Sequence, residues 1–202
     1  MKLKTRYSAG LAIIYKGMIL LGHTTGRKWY NSYGIPKGGI EKKESKIEAA
    51  IRETREELGI KVPRNLIDKT EYTFAFTSRR YKYNKVIYYY IVEIDDLSQL
   101  GLKDLVIPKN QLQVEEIDWA GFMDYREAKK RTMQSQQEVI EKLLGKGLLE
   151  SKTIAGLTDK PNHEDNPSQQ GNGEDDRLHN IRRFKGTVMD FNSYWEDRIK
   201  NQ

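Results

Sequence analysis

The 202-residue chain contains no cysteine, which rules out disulfides and thiolate metal sites and agrees with a cytoplasmic, intracellular location. No apolar run approaches the roughly 18 residues of a membrane span, and the opening MKLKTRYSAG has no hydrophobic signal core. The expectation is a protein that is neither membrane-inserted nor secreted. The 3 histidines, His23, His163 and His179, are scattered without metal-ligand spacing. There is no P-loop, no assignable Ser/His/Asp set and no internal repeat. Hydrophobic residues make up only 37% of the chain, low for this length, which predicts that part of it is not packed.

The net charge of +6 is uneven. Residues 151–202 hold 8 Lys and Arg against 9 Asp and Glu, leaving residues 1–150 with 27 against 20. A basic body suits an anionic partner, either a nucleotide or polyphosphate substrate or RNA, and net charge alone does not separate these.

Ser8–Tyr15 and Met18–Thr24 are apolar, β-prone runs joined at Lys16-Gly17, a predicted hairpin. The loop Gly34-Ile35-Pro36-Lys37-Gly38-Gly39 follows, then a helix, then strands predicted over 66–76, 80–94 and 112–119. Caps and periodicity predict one long amphipathic helix over 124–144, with Ala128, Met133, Val139, Ile140 and Leu143 apolar. Interleaved strands and helices imply a layered α/β domain over residues 1–150. Residues 151–180 read as a polar, disordered linker. Residues 181–202 regain apolar side chains such as Phe184, Val188, Phe191 and Trp195, and are expected to dock on this domain or on another protomer.

The densest information lies in GGIEKKESKIEAAIRETREELGI, residues 38–60. Ser45 followed by Glu48 is a capping-box signature and predicts a helix start. Gly59 tolerates the left-handed conformation that ends a helix, so the helix should stop near Leu58. Ile47, Ala50, Ile51, Thr54 and Leu58 form a buried stripe at helical spacing. Glu53, Glu56 and Glu57 fall at i, i+3 and i+4 on a second face, which Ala49 and Ala50 flank with small side chains that leave room for an approaching group. Like charges at this spacing destabilise a helix by roughly 0.2–0.5 kcal/mol per pair, so compensation is expected. Arg52 and Arg55 supply part of it. A divalent cation would supply more, because carboxylate oxygens are the hard ligands that magnesium or manganese prefers beside phosphate oxygens.

This segment resembles the Nudix box, Gly-x5-Glu-x7-Arg-Glu-U-x-Glu-Glu-x-Gly-U, where U is a bulky aliphatic residue. Gly38, Glu44, Arg52, Glu53, Glu56, Glu57, Gly59 and Ile60 all match, and Thr54 at the inner U is the one soft departure. The resemblance implies a Nudix-type α/β/α sandwich with a mixed β-sheet and metal-dependent hydrolysis of a phosphoanhydride, with Mg2+ as cofactor and Mn2+ as the alternative. It further implies that Glu56 and Glu57, then Glu53, with the Gly38 carbonyl, hold the metal. Arg52 would orient a box glutamate, and Glu44 would support it. The general base is expected at Glu53, or else at Glu115 or Glu116, since VEEIDWAGF is similar to a later family segment in which an acid precedes a tryptophan.

Lys37 in the Pro-Lys-Gly loop is a candidate phosphate ligand, as are Arg79, Arg80, Lys82, Lys85 and Arg6. Tyr30 and Tyr33 are candidates for stacking on a base. The Pro-Lys-Gly loop resembles that of members acting on dinucleoside polyphosphates or diphosphoinositol polyphosphates, and together with the basic body it makes diadenosine tetraphosphate the favoured type of substrate. RNA 5′ ends and diphosphoinositol polyphosphates come next, and damaged nucleoside triphosphates last. Two non-enzymatic alternatives are a Nudix-fold binding module, which predicts a damaged box where this one is intact, and an RNA-binding protein.

Overall fold

The computed structural model describes residues 3–28, 31–78 and 82–150. The expected linker and C-terminal segment at 151–202 lie outside the described residues, as do Tyr30, Arg79 and Arg80. The element order is β1 (Lys4–Tyr15), β2 (Met18–Thr24), β3 (Tyr33–Gly34), β4 (Lys37–Gly39), α1 (Lys46–Leu58), β5 (Tyr72–Ser78), β6 (Tyr83–Ile94), β7 (Ile117–Met123), α2 (Tyr125–Arg131) and α3 (Gln134–Gly145). The strands form one mixed sheet. β1 runs parallel to β6 along its whole length, β5 closes one side antiparallel to β6, and β2 pairs antiparallel with β7.

Alternation along β1 builds the three layers. Ala9, Leu11 and Ile13 join a core with Ala49, Ala50 and Leu58 of α1, whereas Ala12 and Ile14 join a second core with Val139, Ile140 and Leu143 of α3. The expected α/β sandwich with a mixed sheet is therefore observed. The Lys16-Gly17 hairpin also forms: Ile14 pairs with Ile19 across it, and both turn residues have positive φ, 47° and 74°.

Beyond the box, the predicted boundaries shift. Residues 64–66 form a 3-10 turn, so β5 begins only at Tyr72. Gln113–Glu116 form a turn in which the Glu116 and Ile117 N–H groups both donate to the Gln113 carbonyl, so β7 starts at Ile117 rather than Leu112. The predicted single helix over 124–144 is two helices. At Thr132 and Met133 the backbone is extended, because the Met133 N–H donates to the Tyr33 carbonyl at 2.9 Å and Thr132 bridges Tyr33. A tertiary hydrogen bond thus replaces the helical one.

Candidate active site

Helix α1 begins and ends where its caps dictate. The Ser45 hydroxyl accepts from the Glu48 N–H while the Glu48 carboxylate accepts from the Ser45 N–H, and Gly59 closes the helix at φ 69° with its N–H on the Arg55 carbonyl. Thr54 is fully buried, and its hydroxyl donates to the Ala50 carbonyl at 2.9 Å, which satisfies the one polar group the inner U position would otherwise lack. Ala49 and Ala50 do not leave room for a ligand as expected. Both are buried against the sheet, where their small size lets α1 approach β1 closely.

Arg52 organises the charged face. Its Nε and Nη2 donate to the two Glu44 oxygens at 2.9 and 3.1 Å, Nη1 donates to Glu53 and Glu56 at 2.8 Å each, and Nη2 also donates to the Gly39 carbonyl at 2.7 Å. The fork geometry of a guanidinium suits this fivefold use, which a lysine could not reproduce. The bond from Arg52 holds the Glu44 carboxyl below its usual range, and the same bond is the main cause that raises the Arg52 pKa. Glu53 instead is raised, chiefly by burial, with Arg52 opposing. Its carboxylate lies directly against the backbone of Gly38, where a Cβ would sit only 2.0 Å from it. Glycine is therefore the residue that fits at that point of the loop.

Glu57 is only 7% exposed. Its carboxylate accepts the Lys37 backbone N–H at 3.3 Å. Burial pushes its pKa up to about 7; the Lys37 charge opposes the shift, and the Glu53 and Glu116 charges add to it. Three box carboxylates, at Glu44, Glu53 and Glu56, thus share one guanidinium, and a fourth, Glu57, is held apart from it on the Lys37 N–H. Among the described residues no three Asp, Glu or His side chains are already gathered into a metal cage. The donor set is nevertheless all hard oxygen and locally in excess of positive charge, which fits a divalent cation.

Glu57 opens into a cleft of about 340 Å³ lined by Gly22, Thr24, Gly34, Ile35, Lys37, Glu115, Glu116, Ile117 and Met133. The later acids and the box therefore face one space. Lys85, on β6 beside Arg6 of β1, feels Lys37, Arg6, Glu57 and Glu53. Burial first, and then its cationic neighbours, bring its pKa down to about 8. Arg6, Lys37 and Lys85 therefore belong to one basic group, while Lys82 is exposed in the turn entering β6. Tyr33 cannot stack on a base as expected. It is fully buried between His23 and Trp119, with ring centroids at 5.0 and 5.6 Å. Sequence reading missed Gln136, whose side-chain oxygen accepts the Ile35 N–H at 2.8 Å and fixes the loop that carries Lys37. It also missed Met133 as a cleft wall. Neither carries a sequence signal, because both act only through the break between α2 and α3.

The model of the NUDIX domain matches residues 4–143, more than half of the chain. The chain belongs to the Nudix family. Among solved structures, a MutT NUDIX hydrolase from Burkholderia pseudomallei is similar at 19% identity and a TM-score of 0.54, covering 68% of this chain and 97% of its own. An Ap4A hydrolase binary complex from C. elegans is similar at 18% identity and a TM-score of 0.51, covering 69% and 96%. A bifunctional NMN adenylyltransferase/ADP ribose pyrophosphatase from Francisella tularensis, complexed with AMP and a manganese ion, is similar at 15% identity and a TM-score of 0.52, covering 72% and 42%. At these identities the likeness is one of fold. No curated protein matches the sequence. The family and its intact box make this chain a Nudix pyrophosphohydrolase. No helix among its described residues is long and apolar enough to cross a membrane.

Proposed function

We propose that the chain hydrolyses a phosphoanhydride bond in a nucleoside diphosphate linked to another moiety, with dinucleoside polyphosphates such as diadenosine tetraphosphate as the favoured class. The observation that carries this reading is the basic group of Lys37, Lys85 and Arg6 beside the Glu57 carboxylate at the foot of the cleft. A chain of phosphates fits that arrangement, since one phosphate meets the acidic box while the others meet cations. The Ap4A hydrolase fold neighbour supports the same class.

Glu53, Glu56 and Glu57, with the Gly38 carbonyl, would hold a divalent cation, magnesium or manganese. Such an ion neutralises phosphate oxygens and lowers the pKa of bound water. Arg52 keeps Glu53 and Glu56 on one side of the helix through charge-assisted bonds. Lys37 and Lys85 bind and orient the phosphates, and Arg6 neutralises the far end of the chain. The proton of the attacking water passes to a carboxylate of the box or of the cleft, as the bridging P–O bond breaks and the leaving phosphate carries off its electron pair. Glu53 is the first candidate, and Glu116, whose charge reaches both Glu53 and Glu57, is the second.

The test is turnover of a panel of diphosphate compounds with magnesium, including diadenosine tetraphosphate, triphosphorylated RNA ends and a diphosphoinositol polyphosphate. Diadenosine tetraphosphate should have the highest kcat/KM. Preference for either of the others would move the substrate assignment while leaving the chemistry intact. Glu53→Gln and Glu116→Gln then separate the base candidates, because only loss of the base removes the acidic limb of the pH–rate profile.

A further inference from the structure

We infer that strand β5 is a homodimerisation edge, pairing antiparallel with β5 of a second copy about a two-fold axis through Ala75. β5 is the last strand on its side of the sheet, bonded to β6 alone among the described residues. Natural edge strands are usually guarded by charge, proline, a bulge or brevity. β5 has none of these guards: Tyr72-Thr73-Phe74-Ala75-Phe76-Thr77-Ser78 contains no charged residue and no proline, and its seven-residue register with β6 is unbroken.

The sequence of the edge points to the occupant. Thr73-Phe74-Ala75-Phe76-Thr77 reads the same in both directions, so an antiparallel copy centred on Ala75 sets like against like. Thr73 meets the partner's Thr77, and Phe74 meets the partner's Phe76. Such a self-complementary patch is what an isologous two-fold contact requires. Register with β6 puts Phe74 and Phe76 on the sheet face that carries Ile87 and Lys85, where Phe74 is already packed against Tyr89 beneath Lys142, so the partner's Phe76 would extend that aromatic row along one side of a continuous sheet. The threonines would meet on the other side, packing through their methyl groups while their hydroxyls stay on Glu71 and Asn84. No charge opposes the contact within the strand itself. A contact built on one strand pair about 24 Å long belongs with small, reversible interfaces, so the concentration range that tests it is centred on about 10 μM.

Sedimentation velocity of the full chain across a roughly hundredfold concentration range around that value tests the inference. The wild type should pass from one copy to two. Thr73→Lys/Thr77→Lys sets lysine against lysine twice and should raise the dissociation constant about tenfold or more. Thr73→Lys/Thr77→Glu sets each lysine against a glutamate and should restore or tighten the dimer. A wild type that stays monomeric throughout would overturn the inference. So would double variants that both dimerise like wild type, or that both lose the dimer while keeping the wild-type circular dichroism spectrum.

Discussion

The two faces of the sheet are closed by opposite means. On one, α2 and α3 pack Ala128, Val139, Ile140 and Leu143 against β-strand side chains, and at their junction the Ile35 N–H finds the Gln136 side-chain oxygen, while the buried Thr132 hydroxyl is left without a hydrogen-bond partner among the described residues. On the other, α1 buries Ala49, Ala50, Thr54 and Leu58 equally well, yet its flank keeps three carboxylates around one arginine and a fourth, Glu57, beyond the reach of that arginine's bonds. The first face is finished by its own side chains. The second carries more negative charge than the fold neutralises, and chemistry is expected there because an external cation and an anionic substrate can complete it.

Breaking the charged face should have the largest effect. Glu57→Gln should reduce turnover by about a thousandfold, because it removes the most buried carboxylate of the proposed metal set. Arg52→Ala should follow with a loss of roughly a hundredfold and a lower denaturation midpoint, since Glu44, Glu53, Glu56 and the Gly39 carbonyl all lose their donor. Arg52→Lys should recover only part of either, as one ammonium cannot replace the fork. Steady-state kinetics and thermal melts measure both.

Changes on the finished face should affect stability but spare chemistry. Gln136→Leu strips the Ile35 N–H of its acceptor and should cost about 1–3 kcal/mol in chemical denaturation, with kcat below the melting range nearly unchanged and only KM rising as the loop that carries Lys37 loosens. The smallest effect belongs to the basic group. Lys85→Ala should raise KM for diadenosine tetraphosphate about tenfold while kcat moves less, and should leave a short diphosphate compound almost unaffected.

How much of this was legible in the chain follows the same division. The box helix could be read to the residue because its limits are local: Ser45 and Glu48 cap one end, Gly59 the other, and their hydrogen bonds need no distant partner. The hairpin at Lys16-Gly17 was legible for the same reason. The helix over 124–144 was not, because its break is imposed by the Tyr33 carbonyl about a hundred residues earlier, and periodicity carries no trace of that bond. Tyr33 was misread on the same account. A tyrosine beside a loop looks available for stacking until His23 and Trp119 enclose it. The box acids could be named from sequence, and the Arg52 bonds to Glu53 and Glu56 are local to the helix, but its bond to the Gly39 carbonyl and the position of Glu116 in the cleft of Glu57 depend on tertiary approach.

The central claim is that the α1 face is built short of positive charge and is completed by a divalent cation. The shift at Glu57 gives it a sign. A carboxyl whose folded pKa is raised from 4.5 to about 7 binds its proton more tightly in the native state, so its contribution favours folding at low pH and is lost as pH rises through that window. Above it, in chelator, the charged Glu57 should cost about 3 kcal/mol. The direct measurement is the thermal midpoint of wild type and Glu57→Gln at pH about 8, titrated with magnesium and then manganese. Without metal the variant should melt above wild type; with metal the wild type should rise and the variant should respond little. A wild type indifferent to both ions, beside a variant less stable than it in chelator, would contradict the account.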